Sequence, residues 1–165
     1  MSAPRGVDPT HRTFVSYMDK SREYYSALGY QNPYRWAYFD AVPFTPLRRP
    51  LAQAVVTLVT TAHEGAEAAS FRSVYSLPSD GPEVSLSTDG LFWDRQATHT
   101  DDLDSYFPVH RLQELVRDGR VGRLAPRLHG VPTEYSQRRT MERDAPEILR
   151  RCQQDGVDAA LLVPL

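Results

Sequence analysis

Side chains able to do acid–base or hydrogen-bonding chemistry gather at two places in this chain. Thr60, Thr61 and His63 follow the apolar run Ala54-Val-Val-Thr-Leu-Val-Thr60. His129, Glu134 and Tyr135 follow Arg120-Val-Gly-Arg-Leu-Ala125, a run closed by Pro126. Each run reads as a central strand, with Thr60–Gly65 and Arg127–Tyr135 as the loops at the carboxyl ends. In an open α/β sheet such loops face the ligand crevice. These six residues are therefore the candidate site, with imidazole and carboxylate as possible acid and base. Position singles out His63, although a loop histidine without a role is an equal reading. The Thr60–Gly65 loop is no phosphate cradle, because Gly65 stands alone and neither GxGxxG nor GxxxxGK is present.

Two other groups invite a chemical reading. His99, Asp101, Asp102 and Asp104 fall within Ala97–Ser105, but the spacing lacks the Gly and distal Glu of an EF-hand loop. A turn held by side-chain-to-backbone hydrogen bonds is the better account, and no metal is expected. Cys152, the single cysteine, lies on the apolar stripe of a helix with no histidine near it in sequence, which favours a buried inert thiol. Arg48 and Arg49 read as solvated rather than anion-binding. A hydrolase or lyase built on His63, His129 and Glu134 ranks low, because no Ser or Cys sits in an elbow-like GxSxG context.

Several elements must position these residues. Residues 1–12 read as a loose polar leader, and Phe14–Leu28 as a helix capped by Ser16 and ended by Gly29. Tyr30, Tyr34, Trp36, Tyr38, Phe39 and Phe44, interleaved with four prolines up to Pro50, make an extended arm. It either covers an edge of the domain or docks a partner. Phe71–Tyr75 and Glu83–Leu86 are strand-like, separated by a turn at Leu77–Pro82, and Phe92-Trp93 anchors that excursion. Pro108–Asp118 is a helix ended by Gly119. Ser136–Gln154 is a longer one with Met141, Ala145, Ile148, Leu149 and Cys152 as its stripe and a kink or restart at Pro146. Its arginines read as solvated, some paired with Glu142 or Glu147. Gly156–Leu165 is almost wholly apolar and reads as a parallel strand buried on both faces. The expected fold is α/β: a mainly parallel open sheet, Rossmann-like or doubly wound, with flanking helices. Residues 1–50 form leader, helix and arm, and 51–165 the α/β domain.

The 165 residues carry a formal net charge of -2 with both signs well mixed, against a dedicated nucleic-acid binder. A lone cysteine points to a reducing compartment. No stretch approaches the ~18 apolar residues of a membrane span, so a cytoplasmic chain is expected.

The order of the elements carries a resemblance. Val42-Pro-Phe-Thr-Pro-Leu-Arg-Arg-Pro-Leu51 leads into Val55-Val-Thr-Leu-Val-Thr-Thr-Ala62. Thr100-Asp-Asp-Leu-Asp-Ser-Tyr-Phe-Pro-Val-His-Arg-Leu-Gln-Glu-Leu115 leads into Gly119-Arg-Val-Gly-Arg-Leu-Ala-Pro126. Asp144-Ala-Pro-Glu-Ile-Leu149 leads into Asp155-Gly-Val-Asp-Ala-Ala-Leu-Leu-Val-Pro164. From about Val42 onward the chain resembles the selenoprotein B family of glycine, sarcosine, betaine and D-proline reductases, and is most similar to the selenocysteine-bearing subunit of D-proline reductases.

The resemblance implies an oxidoreductase that cleaves a C–N or similar bond reductively, with a disulfide as acceptor. A selenol or thiol attacks the substrate, and thiols reduce the product. It implies a small amine or amino-acid substrate, other reductase subunits, a thiol or thioredoxin-type reductant, and an oligomer. It implies no cofactor in this chain, and a pyruvoyl or other carbonyl group on a partner subunit. It also places the selenocysteine just after the strand corresponding to Val157–Val163. The sequence stops at Leu165 with no such residue, so the expectation is a frame closed at a UGA codon and a product inactive alone. The competing expectation is a non-catalytic binding or scaffold subunit that uses the Tyr30–Phe44 arm for docking.

Overall fold

The computed structural model describes residues 17–31, 39–64, 73–80, 86–91, 96–133 and 136–165. The chain parts into two compact units, 1–42 and 43–165. In the first, α1 spans Tyr17–Ala27. Gly29 ends it at φ 84°, a left-handed conformation that glycine adopts without strain. The apolar side chains expected along this helix stay on the surface, with Met18, Tyr25 and Leu28 all exposed. Tyr25 stacks edge-on against Tyr30, with ring centroids 5.8 Å apart. Ser16, the expected cap, lies outside the described residues, as do Tyr34, Trp36, Tyr38, Phe92 and Trp93.

The second unit is built on β1, Val55–Thr60, six residues buried without exception. Its β-branched, apolar sequence is what a strand covered on both faces requires. β7 (Ala159–Val163) runs parallel to it, pairing from Val56↔Ala159 to Thr60↔Val163. Two short strands share the opposite edge of β1. β5 (Arg123–Leu124) pairs with Val55 and Val56, and β6 (Arg127–Gly130) pairs with Val59 and Thr60, both parallel. β3 (Tyr75–Pro78) closes that side antiparallel to β6. β2 (His63–Glu64) and β4 (Leu86–Ser87) form a separate two-stranded ribbon. The fold is thus α/β with a mixed, mostly parallel sheet.

Three expectations change. Pro126 does not end the second central strand; it interrupts it. Ala125 still donates to Val56 O (2.8 Å) and Ser79 to Pro126 O (3.0 Å), so the ladder absorbs the missing N–H and the strand resumes at Arg127. Leu128 and His129 are therefore strand residues rather than loop residues. Leu77 and Pro78, expected in a turn, belong to β3, where Pro78 takes the last position and costs no interior ladder bond. β7 is parallel as expected but is an edge strand, not a doubly buried one, with Leu161 42% and Leu162 68% exposed.

α2 (Val109–Arg117) buries Val109 and Leu112. The acidic cluster before it is the expected turn: Asp102 Oδ1 accepts from Asp104 N (3.0 Å), and Asp104 Oδ1 accepts from His110 N (3.1 Å), satisfying an orphan amide of the helix. Gly119 closes α2 at φ 69°. The next helical run begins at α3 (Gln137–Arg139), where Ser136 Oγ accepts from Arg139 N. It passes through a π turn at Thr140–Asp144 and continues as α4 (Ala145–Gln154). The π turn is where Pro146 makes itself felt: proline has no N–H for the carbonyl one turn back, and the helix restarts with Pro146 in its first turn. Only Cys152 of the expected stripe is buried, and Met141 (63%) and Leu149 (58%) are exposed.

The core joins Leu58, Ala62, Leu77, Tyr106, Phe107 and Leu128 with Val109 and Leu112 of α2. Full burial of a side chain such as Leu58 contributes about 1.5–3 kcal/mol. Val121 packs with Ala54 and Val56 in a second cluster. The arm does not bury its side chains as an edge cover would: its described stretch 39–50 is exposed throughout, Phe44 at 90%. Among the described residues its root is held by Arg49 Nε, 3.3 Å from Asp158 Oδ1. The Asp158 side chain is 7% exposed, and its other oxygen accepts from Val55 N (2.9 Å), so one carboxylate fastens both arm and β7 to the head of β1.

Candidate functional site

The parallel strands β1, β6 and β7 deliver their carboxyl ends to one rim. Thr60 Oγ1 donates to Tyr106 O (3.0 Å) and accepts from Ala62 N (3.2 Å). Thr61 is half-exposed; its Oγ1 accepts from Leu165 N (2.7 Å) and its carbonyl accepts from Thr133 Oγ1 (3.0 Å). Val131 N donates to Thr60 O (2.9 Å). Tyr75 donates to Ala62 O (2.8 Å) and its ring lies flat where a side chain at Gly130 would stand. Burial, then the charge of Glu64, then Tyr106, push the Tyr75 phenol far above its ordinary pKa, so it remains a neutral donor. The rim is thus a seam of hydroxyls and amides drawn from β1, the turn after β6 and the residues after β7, with the Glu64 charge acting on Tyr75.

The histidines are placed differently. His63, expected in a loop, is the first residue of β2; it is fully buried, with Nε2 2.8 Å from Asp89 O. His129 is fully buried as well. Its Nδ1 lies 2.8 Å from Ser76 Oγ, into which Arg151 Nη1 donates at 2.7 Å. Arg151 also donates to Val74 O and to Glu147 Oε1 (2.7 Å). With Arg151 donating into Ser76, the serine hydrogen is available to His129 Nδ1, and the other ring nitrogen is Nε2. That nitrogen is buried with no hydrogen-bond partner among the described residues. Burial first, then the cations Arg127 and Arg151, hold His129 at a pKa of about 4. His129 is therefore a neutral core residue at physiological pH. His63 bonds toward Asp89 and His129 toward Ser76, and Glu134 and Tyr135 lie outside the described residues.

Sequence reasoning missed Ser76 and Tyr75 and the burial of Arg151, while the expected pairing of arginines with Glu147 is present. Arg151 was expected in solvent, yet its side chain is only 19% exposed. The available signal was Glu147–Arg151 at i,i+4 on a face that also carries Cys152. Arg127 pairs bidentately with Asp155, both N···O distances being 2.9 Å, and holds the end of α4 against β6. That hydrogen-bonded guanidinium depresses the Asp155 carboxyl. Cys152 is 8% exposed, and burial followed by the Asp155 charge pushes its thiol up. It is not a thiolate nucleophile.

Among the described residues no group of three or more His, Cys, Asp or Glu could hold a metal ion, and no helix is long and apolar enough to cross a membrane. A shallow groove lined by Ser79, Asp80, Gln113, Val116, Arg117 and Leu124 lies at the amino end of β6, away from the rim. Comparison of the chain with protein-family models, curated proteins and solved structures gave no match.

Proposed function

We propose that this chain is a subunit of a reductase of the glycine, sarcosine, betaine and D-proline type, with a doubly wound, Rossmann-like sheet and a cytoplasmic setting. The reaction is reductive cleavage of a C–N or similar bond in a small amine or amino acid by a selenol or thiol. A thiol or thioredoxin-type partner returns the oxidised group to the reduced state. The observation that carries this reading is the position of the residues after β7. Leu165 N is hydrogen-bonded to Thr61 Oγ1 at 2.7 Å, so a nucleophile placed just after that strand enters at the rim. Here the hydroxyls and amides of the seam can orient a substrate by hydrogen bonding. The carbonyl group that activates the amine comes from a partner subunit.

The first test is the coding DNA beyond the codon for Leu165. A UGA followed by an open frame supports the reading, and dithiol-dependent cleavage by the longer product completes it. A UAA or UAG with no continuing frame overturns it. A second reading, a non-catalytic binding subunit, is favoured by one observation: Cys152, the single thiol, is buried with its pKa raised. The exposed arm around Phe44 is then its docking surface. Binding of reductase subunits without any change in cleavage rate distinguishes the two.

A further inference from the structure

Two exposed apolar features of the second unit share one root. The first is β7, whose inner edge is paired along its whole length with β1. Asp158 N donates to Val55 O, so by strand alternation the amides of residues 158, 160 and 162 face β1 and those of 159, 161 and 163 face outward. That outer edge carries none of the usual protection: Ala159-Ala-Leu-Leu-Val163 has no charge and no proline. Leu161 and Leu162 are consecutive, so they point to opposite faces, and both are exposed. The second feature is the arm Pro43–Arg48, exposed at every position. Its backbone is hydrogen-bonded to no described residue. The Arg49–Asp158 ion pair seats the end of this arm at the start of β7.

The geometry points to the arm being a strap that folds onto the outer edge of β7 as an antiparallel strand. Direction follows from the root: with Arg49 beside Asp158, decreasing residue number in the arm runs with increasing number in β7. Length fits, since six extended residues span ~20 Å and the five of β7 span ~17 Å. Register follows from the Arg49–Asp158 seat and from Pro46, while Pro43, of the same parity as Thr45, falls at the strap's end opposite Val163 and offers its carbonyl alone. Thr45 and Leu47 keep their amides and share a parity, so they face β7, Thr45 opposite Leu161 and Leu47 opposite Ala159. Phe44 then lies opposite Leu162, joining the most exposed large apolar side chain of each element (90% and 68%). Leu47 reaches Leu161 diagonally on the other face. Pro46 turns its missing N–H outward, and the strap itself becomes a blunted edge. Charge complementarity at the root and matched apolar side chains on both faces select this occupant over a second copy of the chain.

The test is amide hydrogen exchange together with an introduced cysteine pair. In the unaltered chain the amides of Ala159, Leu161 and Val163 are protected. In Arg49→Glu, which sets a carboxylate against Asp158, they exchange about tenfold faster. The amides of Ala160 and Leu162, facing β1, remain protected in both proteins and report that the sheet is intact. Independently, Phe44→Cys with Leu162→Cys, a non-hydrogen-bonded pair in this register, forms a disulfide within one chain at dilute concentration. Phe44→Cys with Leu149→Cys does not. Outer amides that exchange freely in the unaltered chain overturn the proposal. So does a Phe44→Cys, Leu162→Cys double variant whose new thiols stay reduced, or link only separate molecules, while the inner amides stay protected.

Discussion

His129 makes the fold sensitive to mild acid, and the size of the effect follows from its surroundings. The folded protein accepts only the neutral imidazole. The ring is fully buried, and a proton there joins the cations Arg127 and Arg151, which places the pKa at about 4. In the unfolded chain the same ring titrates near the ordinary 6.5. Because the folded pKa is depressed, the unfolded state binds the extra proton between these values, and stability falls as pH falls through that window. Linkage gives a loss of about 2 kcal/mol between pH 7.5 and 5, approaching about 3 kcal/mol near pH 4. The comparison variant is His129→Asn, whose carbonyl can still accept from Ser76 but does not titrate. Urea denaturation of both proteins at half-unit steps from pH 7.5 to 5 isolates the term, since every other titrating group cancels in the difference. Asn is expected to be the less stable at pH 7.5, by about 1–3 kcal/mol for the smaller side chain. The gap then narrows by about 2 kcal/mol at pH 5. A gap that stays constant with pH refutes the argument, because the ring must then take its proton inside the fold. An imidazole proton resonance of His129 that titrates above pH 5.5 in the native protein refutes it too.

Three further outcomes are expected. Gly130→Ala drives a methyl group into the Tyr75 ring and breaks its bond to Ala62 O; denaturation should show a loss of about 1–3 kcal/mol, partly restored by Tyr75→Ser. Asp158→Ala removes the acceptor of Val55 N and the partner of Arg49. A loss of about 1–3 kcal/mol is expected, and amides of β7 should exchange faster than those of β6. Cys152, buried with its pKa raised, should react with a disulfide thiol reagent only on unfolding; rapid labelling of the native protein at pH 8 contradicts its placement.

The central strand was legible because its sequence allows nothing else: six β-branched or apolar residues between Pro50 and polar neighbours. The same holds for α2, with Pro108 and Gly119 as its punctuation, and for the turn made by Asp102 and Asp104. What was not legible depended on pairing. Arg120–Ala125 and Arg127–Gly130 look like a strand and a loop because Pro126 stands between them, yet both lie along the same edge of β1. Whether a proline ends a strand depends on what its neighbours' amides can reach, and sequence does not display that. β7 has the composition of a doubly covered strand, but composition records affinity for cover rather than its presence. Of the site, the Thr60–Thr61 rim followed from strand order. His129 did not, because its hydrogen-bond partner Ser76 and the cation Arg151 arrive from elements 53 and 22 residues away in the chain.

The pairing of β1 also sets an order of events during synthesis. Val55–Thr60 leave the ribosome roughly a hundred residues before the Ala159–Val163 segment that flanks them, and about 65 to 70 before the strands on the other side. At ~5–20 residues per second, this apolar segment waits ~5–20 s for β7. The nascent protein should accordingly be a better client for a hydrophobic-segment chaperone than the finished one.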